Sequence, residues 1–465
     1  MAPGLRACLI VGLTPLAALT GSLALAGSID AQVNQQLPSL VATYKQLHAH
    51  PELSHREVET SALLAGELRK AGYEVTERVG KYPDGSQAYG VVGLLRNGSG
   101  PTLLIRGDMD ALPVVEETGL PYASKVRAQN AAGVEVGVMH ACGHDVHTST
   151  LIGTARALAQ LKGQWHGTLM IIGQPSEETI DGAKAMKADG LYQRFGKPDM
   201  AIALHDTFLY AAGTVGVTSG PALAASTSID VVMRGIGGHG SAPDLGKDPI
   251  VMAAQFINQI QTIVSRQEDP RDPTVVTVGS IHGGTKRNII PNEVKLELTA
   301  RTYSDKARET LITGIRNAAR GIAVAAGVPE DHMPEVTVLE HESTPALIND
   351  AALAARVKAA LVKTLGAANV VDARPIMGSE DFGVFGEGEK PIPVTMFWLG
   401  AMDPQKLAAA KAKGQNLPGM HTSRFEPLPE PTLRAGVTGM TAVAGVARKI
   451  IHPSLGCRQH RAATT

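Results

Sequence analysis

The stretch GTLMIIGQPSEE, residues 167–178, is an almost unbroken apolar run that ends in a proline, a serine and two glutamates. A short apolar run closed by turn residues reads as a strand buried on both faces, the kind found in parallel sheets covered by helices. Glu177 and Glu178 then fall at the strand's carboxyl end, where open α/β sheets build their sites. Working outward, PTLLIRGDMDALP (101–113) repeats the pattern and delivers Asp108 and Asp110, and DMAIALHD (199–206) delivers His205. YGVVGLLR (89–96) is a further strand. Between these runs the apolar period lengthens to that of helices. Residues 147–162 form one helix, and residues 32–75 form two, broken at Pro51. Leu63, Leu64, Leu68 and Ala71 stripe the second of these, and Gly72 ends it. Strands alternating with helices imply an α/β fold, a mixed sheet flanked by helices.

The pattern changes near Ser226. STSIDVVMRG (226–235) alternates apolar and polar residues. GGHGSAP (237–243), a long helix over 249–267, strands over 274–284 and 293–304, a helix over 307–327 and the strand PEVTVLEHE (334–342) follow. This β-α-β-β-α-β order reads as a ferredoxin-like α+β unit inserted into the first domain. The expected division is a discontinuous catalytic domain over 33–224 and 341–452, an insert over 225–340, and a flexible tail over 453–465.

With 465 residues the chain exceeds one simple core. Its 43 basic and 44 acidic residues give a net charge of −1. That balance argues against nucleic acid or an anionic membrane as the main partner. The apolar stretch ACLIVGLTPLAALTGSLALA (7–26) follows a short basic start and ends in a small-x-small pattern, so residues 1–26 read as a signal peptide cleaved after Ala26, with a retained membrane anchor as the alternative. The mature protein is then expected to be exported, periplasmic or secreted, with no membrane association. Loss of Cys8 leaves Cys142 and Cys457. A disulfide between them and a thiolate metal ligand at Cys142 both remain open.

Polar clusters occupy the expected strand-end turns: Asp108 and Asp110, MHACGHDVH (139–147), Glu177 and Glu178, and His205; His421 follows near the C-terminus. Each alone is unremarkable, since adjacent glutamates usually lie on a solvated face and a single histidine is often a satisfied core residue. Together they supply thiolate, imidazole and carboxylate, the ligands of zinc, manganese and related ions. Adjacent glutamates suit such a site. One binds metal, and its neighbour takes a proton from metal-activated water and returns it to the leaving amine. A zinc deaminase is excluded because no Pro-Cys-x-x-Cys follows.

In order along the chain, HAHPELSHRE, RGDMDALPV, MHACGHDVHTS, GQPSEE, ALHD, GGHGSAP, NIIPNE, MGSEDFG and HTSRFEP resemble the amidohydrolase branch of the di-metal aminoacylase and carboxypeptidase family, which includes hippurate hydrolases and N-acyl-amino-acid amidohydrolases. The resemblance covers residues 35–450. It implies a di-zinc exopeptidase-like catalytic domain with an inserted lid and dimerisation domain, and two divalent ions per subunit: zinc or manganese, with cobalt or nickel as alternatives. It further implies that Cys142 bridges the metals and that His144, Glu178, His205 and His421 complete the ligands. Glu177 is then the general base and Asp110 the aspartate that orients the site. Asp108 stands where other branches place a ligand histidine and is not expected to bind metal directly. His140, Asp145 and His147 are expected to orient Cys142 and His144. His239 matches a histidine that polarises the scissile carbonyl, from the partner subunit in dimeric relatives, and Asn288 matches an asparagine near the substrate carboxylate. Ala300-Arg301 and the segment 338–350, which lacks a tyrosine common in relatives, depart from the pattern in the substrate wall. The expected protein is an exported homodimeric metal-dependent amidohydrolase or peptidase that cleaves N-acyl amino acids or short peptides. The alternative is a metal- or ligand-binding protein of the same fold without catalysis.

Overall fold

A computed structural model describes residues 16–447. The first part of the expected signal segment, the expected tail and Cys457 lie outside the described residues. The main sheet has eight strands in the spatial order Glu74–Lys81, Gln87–Asn97, Gly167–Gln174, Thr102–Asp108, Met200–Ala211, Val394–Met402, Val215–Val217, Val370–Asp372. Its four central strands run parallel. Gln87–Asn97 and Glu74–Lys81 join antiparallel at one edge, so the sheet is mixed, as the sequence predicts.

Side chains alternate across this sheet. Leu103, Ile105, Leu169, Ile171, Ile202, Phe397 and Leu399 face one core. The helices Leu16–Ala49, His144–Gln160, Ala351–Leu365 and Pro429–Ala447 contribute to that core and pack against one another. Leu104, Met170, Ile172, Ala201, Ala203 and Trp398 face a second core. Because both faces are covered, the central strands are apolar at nearly every position. The same alternation puts Arg106, Gln174 and His205 on the side of Leu104, Ile172 and Ala203, and that side becomes the functional one.

The helix Leu16–Ala49 passes without a break through Ala26, and the first of its described side chains to reach the core is Ile29. Among the described residues, no helix is long and apolar enough to cross a membrane.

The second sheet comprises Val275–Gly283, Glu293–Thr302, Ala225–Arg234 and Glu335–Thr344 in that spatial order, antiparallel throughout. The helices Pro249–Arg266 and Asp305–Ala325 cover one face, with Met252, Phe256, Ile260, Leu311 and Ile315 packed against Ile229, Val231, Leu296 and Leu298. Asp248 and Ser304 cap the two helices by accepting the N–H groups of Ile250 and Ala307. The last strand of this unit runs to Thr344, past the limit of 340 expected from sequence.

Candidate metal centre and active site

The turn after Gly167–Gln174 places Glu177 and Glu178, and the loop before the helix His144–Gln160 places Cys142. Gly143 makes that loop possible. Its φ is +79°, and a Cβ there would lie 2.2 Å from Asp206 Oδ2. His205 departs from its expected place, lying within the strand Met200–Ala211 rather than at its end. Pairing to Thr102–Asp108 stops at Ala203, so His205 faces the cleft beyond that shorter neighbour, opposite Trp398 in the register.

The ligand atoms of Cys142, His144 and His205 lie within 4.8 Å of one another, as do those of Cys142, Glu178 and His421. Cys142 belongs to both groups. Its Sγ is 3.6 Å from His205 Nε2 and 3.3 Å from His421 Nε2. His144 Nε2 and Glu178 Oε1 are buried and lack hydrogen-bond partners. Buried polar atoms are rarely left so. Burial and the Glu178 charge push the Cys142 thiol pKa up, so a cation is needed to hold a thiolate here. The donor set and the orphaned atoms fit a divalent metal pair shared through Cys142.

Asp110 organises the cluster. Its Oδ1 accepts the Glu177 N–H at 3.1 Å and its Oδ2 the Glu178 N–H at 3.0 Å. Its backbone oxygen lies 2.8 Å from His144 Nδ1, which leaves Nε2 as the ligand atom. Asp108 is engaged on both oxygens, by His147 Nδ1 and by Arg106 Nη1, each at 2.5 Å. That leaves it poorly placed to bind metal directly.

The bonds around MHACGHDVH differ from those expected of orienting residues. His147 bridges Asp108 and Asp206 rather than bonding to Cys142 or His144. Asp145 accepts from His48 Nδ1 at 2.7 Å. Both ring nitrogens of His140 are buried without a partner, so His140 orients neither ligand through a hydrogen bond. Burial lowers its pKa to about 4.

Glu177 Oε2 is 3.7 Å from His144 Nε2. Burial, then the charges of Glu380 and Glu178, hold the Glu177 pKa well above the usual carboxylate range. Burial opposes charge on His144, but Asp108 and Asp110 outweigh it and raise that pKa. Sequence reasoning assigned no role to Glu380 and Asp381 of MGSEDFG, although it singled out the motif. Both pair with the buried Arg106, and Asp381 also accepts from Gln174 Nε2 at 2.6 Å.

The cleft has a volume of about 490 Å³ and is lined by Cys142, Glu177, Glu178, His205 and His421. Phe208, Leu223, Ile376, Met377, Trp398 and Met420 give it an apolar wall. Arg301 reaches it from the inserted unit and donates to Ser379 Oγ. His239 and Asn288 do not line it. They sit together elsewhere on the insert, where His239 pairs with Ile289 and the Gly240 N–H donates to the Asn288 carbonyl; both are exposed.

The model of peptidase family M20/M25/M40 matches residues 104–415. The chain belongs to this family. Its members hydrolyse amide or peptide bonds, and this chain is such a hydrolase. The thermostable carboxypeptidase 1 of Saccharolobus solfataricus is 35% identical over 370 residues, covering 79% of this chain and 87% of that protein. The hippurate hydrolase of Campylobacter jejuni is 36% identical over 347 residues, covering 74% and 84%. The crystal structure of the YXEP protein of Bacillus subtilis, described as a dinuclear metal-binding peptidase of the M20 family, matches with a TM-score of 0.70 at 29% identity and covers 89% of this chain and 99% of that one.

Proposed function

We propose that the chain hydrolyses the amide bond of N-acyl amino acids or short peptides, releasing a carboxylic acid and a free amino acid. The carrying observation is the convergence of Cys142, Glu178, His205 and His421 beside Glu177 in one cleft that also holds Arg301, with His144 grouped behind them on Cys142 and His205. The five ligands would hold two divalent ions. Bound there, such ions supply Lewis acidity to the scissile carbonyl and acidify a water. Glu177 takes the proton from the attacking water and delivers it to the departing nitrogen. A raised pKa suits a group that must both accept and release that proton. Arg301 receives the carboxylate of the amino-acid half, and the wall of Phe208, Leu223, Trp398 and Met420 receives the acyl half. The thiolate ligand favours zinc; manganese, cobalt and nickel are the alternatives to be compared by reloading.

His239 and Asn288 lie outside their own chain's cleft, which supports a homodimer in which each insert brings them to the other subunit's site. Export with cleavage after Ala26 belongs to the same reading. It is supported by the apolar stretch 7–26 and tested by the mass of the mature N-terminus.

The test of the function is Glu177→Gln, assayed on N-acetyl, N-benzoyl and dipeptide substrates after chelation and metal reloading. The variant is expected to keep its metals and lose turnover by about 10²–10⁴-fold. Native turnover in Glu177→Gln, or full activity after chelation, overturns the mechanism.

A further inference from the structure

The motif HAHPELSHRE supplies none of the ligands, yet its segment 51–57 lies against the turn that carries the two glutamates. Three consecutive N–H groups of that turn end on buried carboxyl groups. The Ser176 N–H donates to Glu57 Oε1 at 2.8 Å, and those of Glu177 and Glu178 donate to Asp110 at 3.1 and 3.0 Å. Ser176 has φ +52°, in the left-handed region that a residue with a Cβ avoids unless its surroundings impose it. The surroundings here are specific. Glu57 Oε1 also accepts from Ser176 Oγ at 3.1 Å and from the His55 N–H at 3.0 Å, and the Tyr82 hydroxyl lies 2.6 Å from Ser176 Oγ. The same segment reaches Asp110, because Ser54 Oγ donates to its Oδ2 at 2.6 Å.

Glu57 precedes the helix Val58–Lys70 but makes no side-chain bond to it. Glu52 takes that part by accepting the N–H groups of Glu59 and Thr60. The Glu57 carboxyl group, fully buried, is thus directed at the turn before Glu177 rather than at its own helix.

We propose that Glu57, assisted by Ser54, is a positioning residue for the general base: by holding Ser176 left-handed it sets the direction in which the Glu177 side chain leaves the backbone. This rests on the reading of Glu177 as the base, and the experiment separates the two. The full-length, metal-loaded enzyme is assayed on the N-acyl amino acid that it turns over fastest, with Glu177→Gln as reference. If Glu177→Gln turns over at the native rate, the base reading fails and the positioning role fails with it. If Glu177→Gln is impaired, the role of Glu57 is judged separately. Glu57→Leu, which removes the acceptor, is expected to lower kcat about tenfold, with KM and bound metal per chain unchanged. Added to Glu177→Gln it should cause no further loss in the residual rate, because a residue that acts through Glu177 has nothing left to position. A kcat within twofold of native, a loss in proportion to lost metal, or a full tenfold loss retained in the Glu177→Gln background overturns the proposal. Should Glu57→Leu fail to fold, Ser54→Ala removes a single hydroxyl. It must then show the same kcat-only loss, and a native kcat there overturns the proposal equally.

Discussion

Cys142 Sγ lies 3.3 Å from His421 Nε2, although the two residues are 279 positions apart. Cys142 is buried, whereas the His421 side chain is 57% exposed on a loop held to the Cys142 loop by the His421 N–H to Ala141 carbonyl bond. The two ligands should therefore fail differently. Cys142→Ser removes the group common to both clusters and is expected to release both metals, whereas His421→Ala leaves the cluster with His144 and His205 and is expected to release one. Metal per chain by atomic emission checks this. Equal stoichiometry in the two variants contradicts a bridging thiolate.

Asp110→Asn preserves shape but replaces an acceptor oxygen with a donor. One of the Glu177 and Glu178 N–H groups then faces an amide N–H and is left buried without an acceptor, at a cost of about 1–3 kcal/mol. Expressed in the transition state, this predicts a fall in kcat of about 10–100-fold. A crystal structure of the variant should show the Glu177–Glu178 turn displaced. Native kcat would mean that other contacts suffice to hold the turn.

The apolar runs at 101–113, 167–178 and 199–206 made the parallel core legible because strands buried on both faces have little room for polar residues. The alternation in 226–235 likewise marked a sheet with one covered face, the face on which Ile229, Val231 and Met233 pack. Ligands clustered around glycine and at strand ends were readable as chemistry. Arg106, Glu380 and Asp381 were not, because a buried ion cluster depends on charges 274 positions apart meeting in space. His205 was expected at a strand end, since sequence does not show that its strand outruns the neighbour on one side and continues to pair with Val394–Met402 on the other.

Arg301 enters the cleft from a different sheet, and burial pushes its pKa down because the guanidinium is partly desolvated without a carboxylate partner among the described residues. A substrate carboxylate would supply that partner. Arg301→Ala is expected to raise KM about 10–100-fold, the value of a charge-assisted hydrogen bond, and to change kcat much less. Arg301→Lys should recover only part of the loss because it cannot pair in a bidentate fashion. An amidated substrate should be insensitive to either change. If both variants bind the free acid as tightly as the native enzyme, the carboxylate sits elsewhere.

His48 is the clearest source of pH dependence outside the ligand set. Its Nδ1 is 2.7 Å from Asp145 Oδ2 and its Nε2 3.0 Å from Glu116 Oε1, all fully buried side chains or nearly so. Burial works against its charge, but the bonds to Asp145 and Glu116 prevail and raise its pKa from 6.5 to about 10. A group whose pKa is higher in the folded state contributes fully below its unfolded value and loses that contribution as pH rises through the folded one. Stability should thus decline between about pH 6.5 and 10, by up to about 1.4 kcal/mol per pH unit from this group. Because Asp145 lies in the first turn of the helix that begins at His144, the loss should loosen the start of the ligand helix as well. His48→Gln leaves two carboxylates facing a neutral side chain. It is expected to cost about 3–5 kcal/mol at pH 7 and to remove this part of the slope. Guanidinium unfolding of wild type and variant at pH 7, 8 and 9, both saturated with metal, isolates the difference. Parallel pH profiles for the two proteins would show that His48 is uncharged in the folded enzyme.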